Sequence, residues 1–343
     1  MLKVLKRSVL RASKRVGLLE SIADSEWRRK RLLILCYHSL SVDQEHLWRR
    51  PLFFTVQEFE QRLQVLQRWG AQVLPLGEAV NRLQAGTLPP RSAVLTFDDG
   101  SADFSETVWP LLKQYRYPAT VYATTYYSEK RRPIFPLICR YVLWKGRHGV
   151  LDADAELGVA VAADLSNATQ REVVARAVID CADRDGLDAD EKDRRAARLA
   201  ALLRIDYQDL LRRRVLQAMT PDEIRRVAAD GADVQLHTHR HRVPRRRDLF
   251  EREIAENRTR LESLTGHRAE HFCYPSGVHH QEFLPWLAAQ GVMTAATGIP
   301  GLAKAGSSPL LLPRIVDVAA MAPIELEGWL SGATQILPRR RET

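Results

Sequence analysis

Two groups of polar residues have the types and the spacing of a catalytic metal site. Asp98 and Asp99 are adjacent and precede Gly100, while His237 and His241 are four residues apart. A spacing of four brings two imidazoles to one side of a helical turn or a compact loop. Two histidines and one carboxylate suit a catalytic divalent ion, because they leave positions open for water and substrate. The sequence therefore predicts that Asp99, His237 and His241 hold a metal.

Both groups also have a plainer interpretation. Asp98 and Asp99 could form a turn with their carboxylates in water, and five arginines between residues 240 and 247 are compatible with a basic surface loop around the histidines. The carboxylates favour the metal site, since they directly follow the apolar run 93–97. Two unpaired negative charges beside a buried strand are costly unless a cation neutralises them.

Short apolar runs precede these polar groups and predict the strands that position them. They cover residues 32–37, 93–97, 119–123, 234–236, 271–274, 292–296 and 315–318. Amphipathic patterns predict helices at 56–69, 76–85, 104–115, 221–229 and 248–264. This alternation is typical of an α/β fold with a parallel sheet or barrel, whose ligand-binding loops meet at the carboxyl ends of the strands.

Two motifs resemble a known family. Thr96-Phe97-Asp98-Asp99-Gly100 and, later, His237-Thr238-x-x-His241 are similar to the first two motifs of polysaccharide deacetylases, the NodB-homology domain of family 4 carbohydrate esterases. The resemblance spans about residues 31–330. It implies a distorted (β/α) barrel, with Asp98 as general base and with Asp99, His237 and His241 as ligands of zinc or a similar divalent metal.

The third motif of this family supplies a backbone amide for the oxyanion after a proline, and Pro275-Ser276 matches it. The resemblance thus assigns the Ser276 N–H to the oxyanion and places Tyr274 and Pro275 at the substrate. An arginine usually found two residues before the proline is Cys273 here. Arg314 is the candidate replacement at the substrate, and a structural salt bridge is the alternative for it.

The general-acid histidine usually lies near the C-terminal end, yet no histidine follows Ile324. Permuted exopolysaccharide deacetylases carry it early, in a Tyr-His motif that Tyr37-His38-Ser39 resembles. The resemblance therefore implies that His38 is the general acid. The alternative is a histidine that only forms a hydrogen bond at a strand end.

Three segments lie outside the regular alternation. Residues 1–30 predict one basic amphipathic helix that either contacts an anionic membrane or packs on the domain. Residues 126–219 predict a helical insertion without a strand comparable to those of the barrel, and residues 331–343 a basic tail.

Composition narrows the partners. The net charge of +9 is not accompanied by a nucleic-acid-binding motif, so we expect no nucleic acid partner. The four cysteines form no CxxC pair and are expected to be reduced. No apolar run is long enough to span a membrane and no signal peptide is recognisable, which predicts a cytoplasmic protein, at the inner face of the membrane.

The leading hypothesis is a metal-dependent hydrolase that removes an N-acetyl group from an amino sugar in a glycan, or in its lipid-linked or nucleotide-linked precursor. A sugar O-ester deacetylase or a deformylase of the same fold is the first alternative. A non-catalytic glycan-binding protein is the second.

Overall fold

A curled, mainly parallel sheet forms the centre of the computed structural model, which describes residues 2–337. The sheet order is β11-β10-β9-β6-β5-β1-β12, with β4 also paired to β5 and β13 to β1. All neighbouring strands are parallel except β12, which runs antiparallel to β1. The strands of the chain are β1 Arg31–Tyr37, β2 Ser39–Leu40, β3 Phe53–Phe54, β4 Gln72–Val73, β5 Ser92–Phe97, β6 Thr120–Ala123, β7 Val150–Leu151, β8 Ala163–Asp164, β9 Asp233–Leu236, β10 His271–Cys273, β11 Thr294–Ala296, β12 Ala303–Lys304 and β13 Ile315–Val316.

Burial on both faces explains why the central strands are apolar throughout. All six residues of β5 are buried, as are six of the seven in β1, because helices cover the outside of the sheet and side chains fill its inside. Leu312 bridges to Ala296 at the end of β11, and β13 follows it and pairs with β1. The segment thus connects the two ends of the curled sheet. The predicted distorted α/β barrel is confirmed.

Helices alternate with the strands as the sequence indicated. Thr220 caps α13 through a reciprocal capping box with Glu223, and Pro221 occupies the first turn. The helices are α1 Leu2–Arg15, α2 Leu18–Ala23, α3 Glu26–Arg29, α4 Glu45–Trp48, α5 Val56–Arg68, α6 Leu76–Ala85, α7 Trp109–Tyr115, α8 Tyr126–Lys130, α9 Phe135–Lys145, α10 Ala168–Arg184, α11 Ala189–Leu202, α12 Tyr207–Arg212, α13 Pro221–Ala229, α14 Arg247–Thr265, α15 Phe283–Ala289, α16 Pro323–Ser331 and α17 Ala333–Ile336. A π-helical turn, Phe104–Val108, leads into α7.

The segment 126–219 contains α8 to α12 and a short antiparallel ribbon of β7 and β8. Its helices enclose a hydrophobic core of their own, which includes Ile138, Val142, Val178 and Leu199. The segment is therefore a helical subdomain with one added ribbon, attached beside the barrel.

The prediction of a single helix over residues 1–30 is wrong. Gly17 adopts a left-handed conformation with φ 71° and separates α1 from α2, and Ser25 caps a third short helix, α3. The body of the protein contacts these helices through the buried side chains of Leu10, Leu19 and Ala23.

The predicted basic tail begins later than residue 331. Ala333 and Thr334 are buried in α17, which packs on α16. Residues 338–343, with the arginines of the predicted tail, lie outside the described residues. Among residues 2–337, none of the helices combines the length and apolarity needed to cross a bilayer.

Candidate active site

Four polar segments meet at one edge of the sheet because each follows a parallel strand. His38 follows β1, Asp98 and Asp99 follow β5, His237 follows β9, and the turn with Ser276 follows β10. These residues line one cavity of about 1030 Å³. The other wall of this cavity comes from the helical subdomain, including Tyr127, Phe135, Ile179, Leu187 and Tyr207.

One oxygen of Asp99 lies between two imidazoles. The Asp99 Oδ1 is 3.1 Å from Nε2 of His237 and 3.2 Å from Nε2 of His241. Burial alone would raise the pKa of Asp99, but hydrogen bonds from the two histidines hold it well below its ordinary value. The carboxylate is therefore ionised and directed at the same point as two ring nitrogens.

This triad fits a divalent metal. Its three ligand atoms lie within 4.8 Å of one another. The Nδ1 of His237 donates to the carbonyl oxygen of Cys273 at 2.9 Å, so Nε2, which faces Asp99, is the ring nitrogen that would bind a metal. Metal-binding histidines in proteins are oriented in the same way by a hydrogen bond on the opposite ring nitrogen.

The backbone around the site is held in uncommon conformations. Asp99, Thr238, His241 and Ser276 have φ values of 73°, 61°, 54° and 55°, in the left-handed region that non-glycine residues rarely adopt. Each such residue costs on the order of 1–3 kcal/mol and persists only where its surroundings fix it, and such strain clusters at functional sites. His237 and His241 thus lie on a compact loop, which the Thr238 side chain closes by accepting a hydrogen bond from the Arg242 N–H at 3.0 Å.

Asp98 is buried and paired with Arg314. The two terminal nitrogens of Arg314 donate to the two oxygens of Asp98 at 2.7 and 2.8 Å. The thiols of Cys36 and Cys273 each lie 3.4 Å from Oδ2 of Asp98. Burial alone would raise the pKa of Asp98, but the charge and hydrogen bonds of Arg314 lower it strongly. Asp98 is therefore an oriented carboxylate anion.

The remaining bonds of Arg314 fix its own position. It donates to the carbonyl oxygen of Thr297 and to the hydroxyl of Thr96, and it contacts the Cys273 sulfur at 3.1 Å. Its side chain is only 3% exposed. These contacts indicate that Arg314 positions Asp98, rather than contacting substrate as predicted. They also place its guanidinium beside Cys273, at the position where the family that the motifs resemble usually has an arginine.

His38 reaches this pocket from the end of the first strand. A ring nitrogen of His38, the Cys36 sulfur and an Asp98 oxygen all lie within 4.8 Å of one another. The side chain is partly exposed to the cavity. Its distance in sequence from the other site residues is therefore no obstacle to a shared site.

The residues at the end of β10 and in the turn after it differ in their exposure to the cavity. Ser276 is exposed in the cavity. Tyr274 is 1% exposed and its hydroxyl donates to the carbonyl oxygen of Leu310 at 3.0 Å, while Pro275 is also buried. Neither Tyr274 nor Pro275 is among the residues that line the cavity, and their contact with substrate stays a prediction.

Two further histidines have structural surroundings. His239 is buried, its Nδ1 lies 2.8 Å from the Thr125 hydroxyl, and burial lowers its pKa to about 4. His271 is buried with its Nδ1 2.9 Å from the hydroxyl of Thr294. Neither lines the cavity described above.

Comparisons with known proteins identify the family of the chain. The polysaccharide deacetylase family matches residues 85–162 and 199–295, just over half of the chain. The chain belongs to the polysaccharide deacetylase family. Members of this family generally use a divalent metal, and the triad of Asp99, His237 and His241 offers ligands for one. The family match omits residues 163–198, which hold α10 and most of α11.

Individual relatives are more distant. The poly-beta-1,6-N-acetyl-D-glucosamine N-deacetylase of Staphylococcus epidermidis is 35% identical over 71 residues, which is 21% of this chain and only 25% of that protein. The structure of the Streptococcus pyogenes deacetylase PplD in complex with acetate is 19% identical, with a TM-score of 0.57 over 86% of this chain and 96% of that one. IcaB from Ammonifex degensii is 17% identical, with a TM-score of 0.55 over 88% and 97%. At these identities the two structures establish the shared deacetylase fold.

Asn257 is a site residue that the motifs did not reveal. It is fully buried on α14, and its side-chain oxygen accepts the His237 N–H at 2.9 Å. Its side-chain nitrogen donates to the Ala123 carbonyl oxygen and to the Thr125 hydroxyl, both at 3.1 Å. The Asn257 side chain thereby connects the ends of β6 and β9 and fixes the position of the His237 backbone.

We expect Asn257→Ala to weaken metal binding by about 10-fold to 100-fold, the usual effect of removing a group that orients a metal ligand. Buried backbone groups left without partners should also lower the free energy of unfolding by about 1–3 kcal/mol. Metal titration and urea unfolding measure both effects. Asn167→Ala is the matched control, since Asn167 only caps α10 and should cost about 1 kcal/mol of stability with metal affinity unchanged. Unchanged metal affinity in Asn257→Ala would contradict the positioning role.

Proposed function

We propose that this protein is a metal-dependent N-deacetylase that hydrolyses the acetamido group of an amino sugar in a glycan or a glycan precursor. The observation that carries this proposal is the adjacent placement of two differently held carboxylates. Asp99 points at two histidine nitrogens, while Asp98 next to it is held by Arg314. One carboxylate is therefore available as a metal ligand and the other as a base.

Asp99, His237 and His241 would hold the ion, which we propose to be zinc because two imidazoles and a carboxylate suit it. When bound, a divalent ion supplies Lewis-acid polarisation of a carbonyl and eases deprotonation of water. Asp98 accepts the proton of the attacking water, whose oxygen forms the new bond to the acyl carbon. The Ser276 N–H donates to the oxygen that becomes negative.

His38 completes the reaction by proton donation. The carbon–nitrogen bond breaks as the His38 imidazolium transfers a proton to the sugar nitrogen, so that an amine leaves and acetate remains. An amide needs this proton more than an ester does, because an unprotonated amide nitrogen is the poorer leaving group. The position of His38 beside Asp98, in the same cavity, supports its assignment as the general acid.

The cavity supports a saccharide substrate. Its volume of about 1030 Å³ is at the upper end of the range for small-molecule sites, so it has room for more than one sugar ring. The aromatic side chains of Tyr127, Phe135 and Tyr207 give the wall of the helical subdomain flat apolar surfaces, and Lys130 and Arg132 add hydrogen-bond donors. The named activity of the Staphylococcus epidermidis relative, on poly-beta-1,6-N-acetyl-D-glucosamine, makes an N-acetylglucosamine polymer the first substrate to test.

We also propose that the protein works in the cytoplasm, at the inner face of the membrane. The basic helix α1, with Arg11 and Arg15 exposed, supports this location. Fractionation of cells into cytosol, membrane and exterior, followed by immunodetection, tests it.

The reaction is tested by mass spectrometry of products from N-acetylated, N-formylated and O-acetylated sugars, with and without a chelator. We expect acetate and a free amine from the N-acetylated oligosaccharide, and loss of this activity with the chelator that added metal restores. His38→Gln should lower amide hydrolysis about 100-fold or more, since general acids contribute factors of that size, and ester hydrolysis less. His280→Gln, at a half-buried histidine outside the cavity, is the matched control.

Other outcomes of the same panel identify the alternatives. Faster release from the O-acetylated or N-formylated sugars would identify an esterase or a deformylase. Saccharide binding without any product, in a metal-loaded protein, would identify a glycan-binding protein and overturn the proposed reaction.

A further inference from the structure

Helix α1 turns its apolar stripe away from the protein. Leu5, Val9, Ala12 and Val16 repeat at spacings of four, three and four, which places them on one side of the helix. Val16 continues this helix by donating its N–H to the Ala12 carbonyl oxygen. Leu5, Val9 and Val16 are 60%, 40% and 77% exposed. An amphipathic helix of a globular protein normally buries this stripe.

The opposite side of α1 attaches the helix to the body of the protein. Arg7 donates two hydrogen bonds to Glu325, and Lys14 contacts Glu327 at 2.7 Å. Leu10 lies between them in sequence and is 1% exposed. Basic residues thus face acidic partners on α16, and this arrangement fixes the apolar stripe on the outside.

Basic charge borders the exposed stripe. Arg11 and Arg15 are exposed and lie on the same side of the stripe, about 100° and 60° around the helix from Ala12. Residues 1–19 contain no acidic side chain. Leu18, 47% exposed, extends the apolar surface onto α2.

We propose that this surface, formed by Leu5, Val9, Ala12, Val16 and Leu18 with Arg11 and Arg15, is a docking face for an anionic lipid bilayer. Its apolar side chains enter the region between headgroups and acyl chains, while the two arginines contact lipid phosphates. Apolar area and attraction to anionic lipid together determine the strength of such interfacial helices. The proposal goes beyond the proposed reaction and does not depend on it.

Charge favours a bilayer over a second copy of the chain as the occupant of this face. Two copies that paired this stripe antiparallel about a two-fold axis would bring the Arg11 and Arg15 residues of both chains to the same side of the interface, where like charges repel. An anionic surface instead attracts each arginine. One basic side chain near such a surface strengthens binding about fivefold.

Vesicle co-sedimentation of the full chain tests the docking face. Vesicles of phosphatidylglycerol and phosphatidylcholine are compared with vesicles of phosphatidylcholine alone. We expect the wild-type protein to bind the anionic vesicles at least tenfold more strongly, and high salt to weaken this binding. Leu5→Asp with Val16→Asp should reduce binding to anionic vesicles at least tenfold. Arg11→Gln with Arg15→Gln should remove most of the preference for anionic lipid.

Val161→Asp with Val173→Asp is the matched control, because these valines are 73% and 62% exposed on the helical subdomain. It should bind vesicles as the wild type does. Equal binding by Leu5→Asp with Val16→Asp, or no wild-type binding, overturns the proposal. The proposal is also overturned if the wild-type protein is a dimer that Leu5→Asp with Val16→Asp dissociates, because the face would then pair two chains. Deacetylation of a water-soluble oligosaccharide is measured in parallel and should be unchanged, which separates failure of this proposal from failure of the proposed function.

Discussion

Asp99→Ala should remove both the bound metal and the activity, whereas Asp98→Asn should remove the activity and keep the metal. Asp99 would supply one of three convergent ligand atoms, so its loss should weaken metal binding by more than the 10-fold to 100-fold typical of groups that only orient a ligand. Asp98 points instead to Arg314. Its replacement removes the proposed base, and general bases contribute rate factors of about 100 to 10,000.

Metal content by elemental mass spectrometry and acetate release by a coupled assay measure the two effects on the same preparations. Asp152→Asn serves as control, since Asp152 is exposed in the helical subdomain away from the cavity, and both readouts should match the wild type. Full metal occupancy in Asp99→Ala would show that the triad is not the metal site. Near-normal acetate release by Asp98→Asn would show that another group is the base.

The strands, and the placement of site residues at their carboxyl ends, could be predicted from sequence because both depend on local sequence patterns. The runs that became β1 and β5 are buried on both faces, so they are apolar without interruption. Each motif residue directly follows such a run, and parallel strands bring their carboxyl ends together. No contact between distant segments had to be known to place His38, Asp98 and His237 at one edge.

The partners of these residues could not be predicted in the same way. Asn257 reaches His237 from the middle of a helix, where an isolated asparagine carries no recognisable signal. The pair of Arg314 and Asp98 joins residues 216 positions apart. Such pairs depend on how the sheet curls, and the only sequence signal for this one was the cysteine at the usual arginine position.

The prediction of one helix over residues 1–30 shows the limits of periodicity. The stripe of α1 was recognised, but its direction is decided by Glu325 and Glu327 on α16, more than 300 residues away. The end of the helix depends on Gly17 in a left-handed conformation. Tyr274 follows a strand as the other site residues do, yet its side chain points to the core, where the Leu310 carbonyl oxygen accepts its hydroxyl.

Arg314→Met should lower both the stability and the turnover of the protein. Removing one member of a buried ion pair leaves the other charge uncompensated and typically costs about 3–5 kcal/mol, here because the Asp98 carboxylate would lose the partner that holds both its oxygens. Turnover should fall as well, because the proposed base would no longer be oriented or reliably ionised. Urea unfolding and acetate release measure these effects.

The stability loss should depend on pH in a defined direction. In the wild type the pKa of Asp98 lies below its ordinary value of 3.8, so the pair contributes stability above about pH 4 and loses that contribution as the pH falls further. In Arg314→Met the charge that lowers the pKa of Asp98 is absent, so burial raises that pKa. Asp98 then becomes protonated at higher pH than in the wild type, and the neutral form is less destabilising in the protein interior. The difference in unfolding free energy between the two proteins should therefore be largest near pH 7 and should narrow in acid.

Arg62→Met provides the comparison that separates stability from catalysis. Arg62 and Asp317 form a second buried ion pair, with side chains 5% and 0% exposed, and neither residue lines the cavity. Its loss should destabilise the protein by a similar amount and leave the turnover of the folded fraction within about threefold, a difference below 1 kcal/mol in the barrier. If both variants lose turnover equally, the loss follows from destabilisation alone. A selective loss in Arg314→Met would instead place the orientation of Asp98 among the requirements of the reaction.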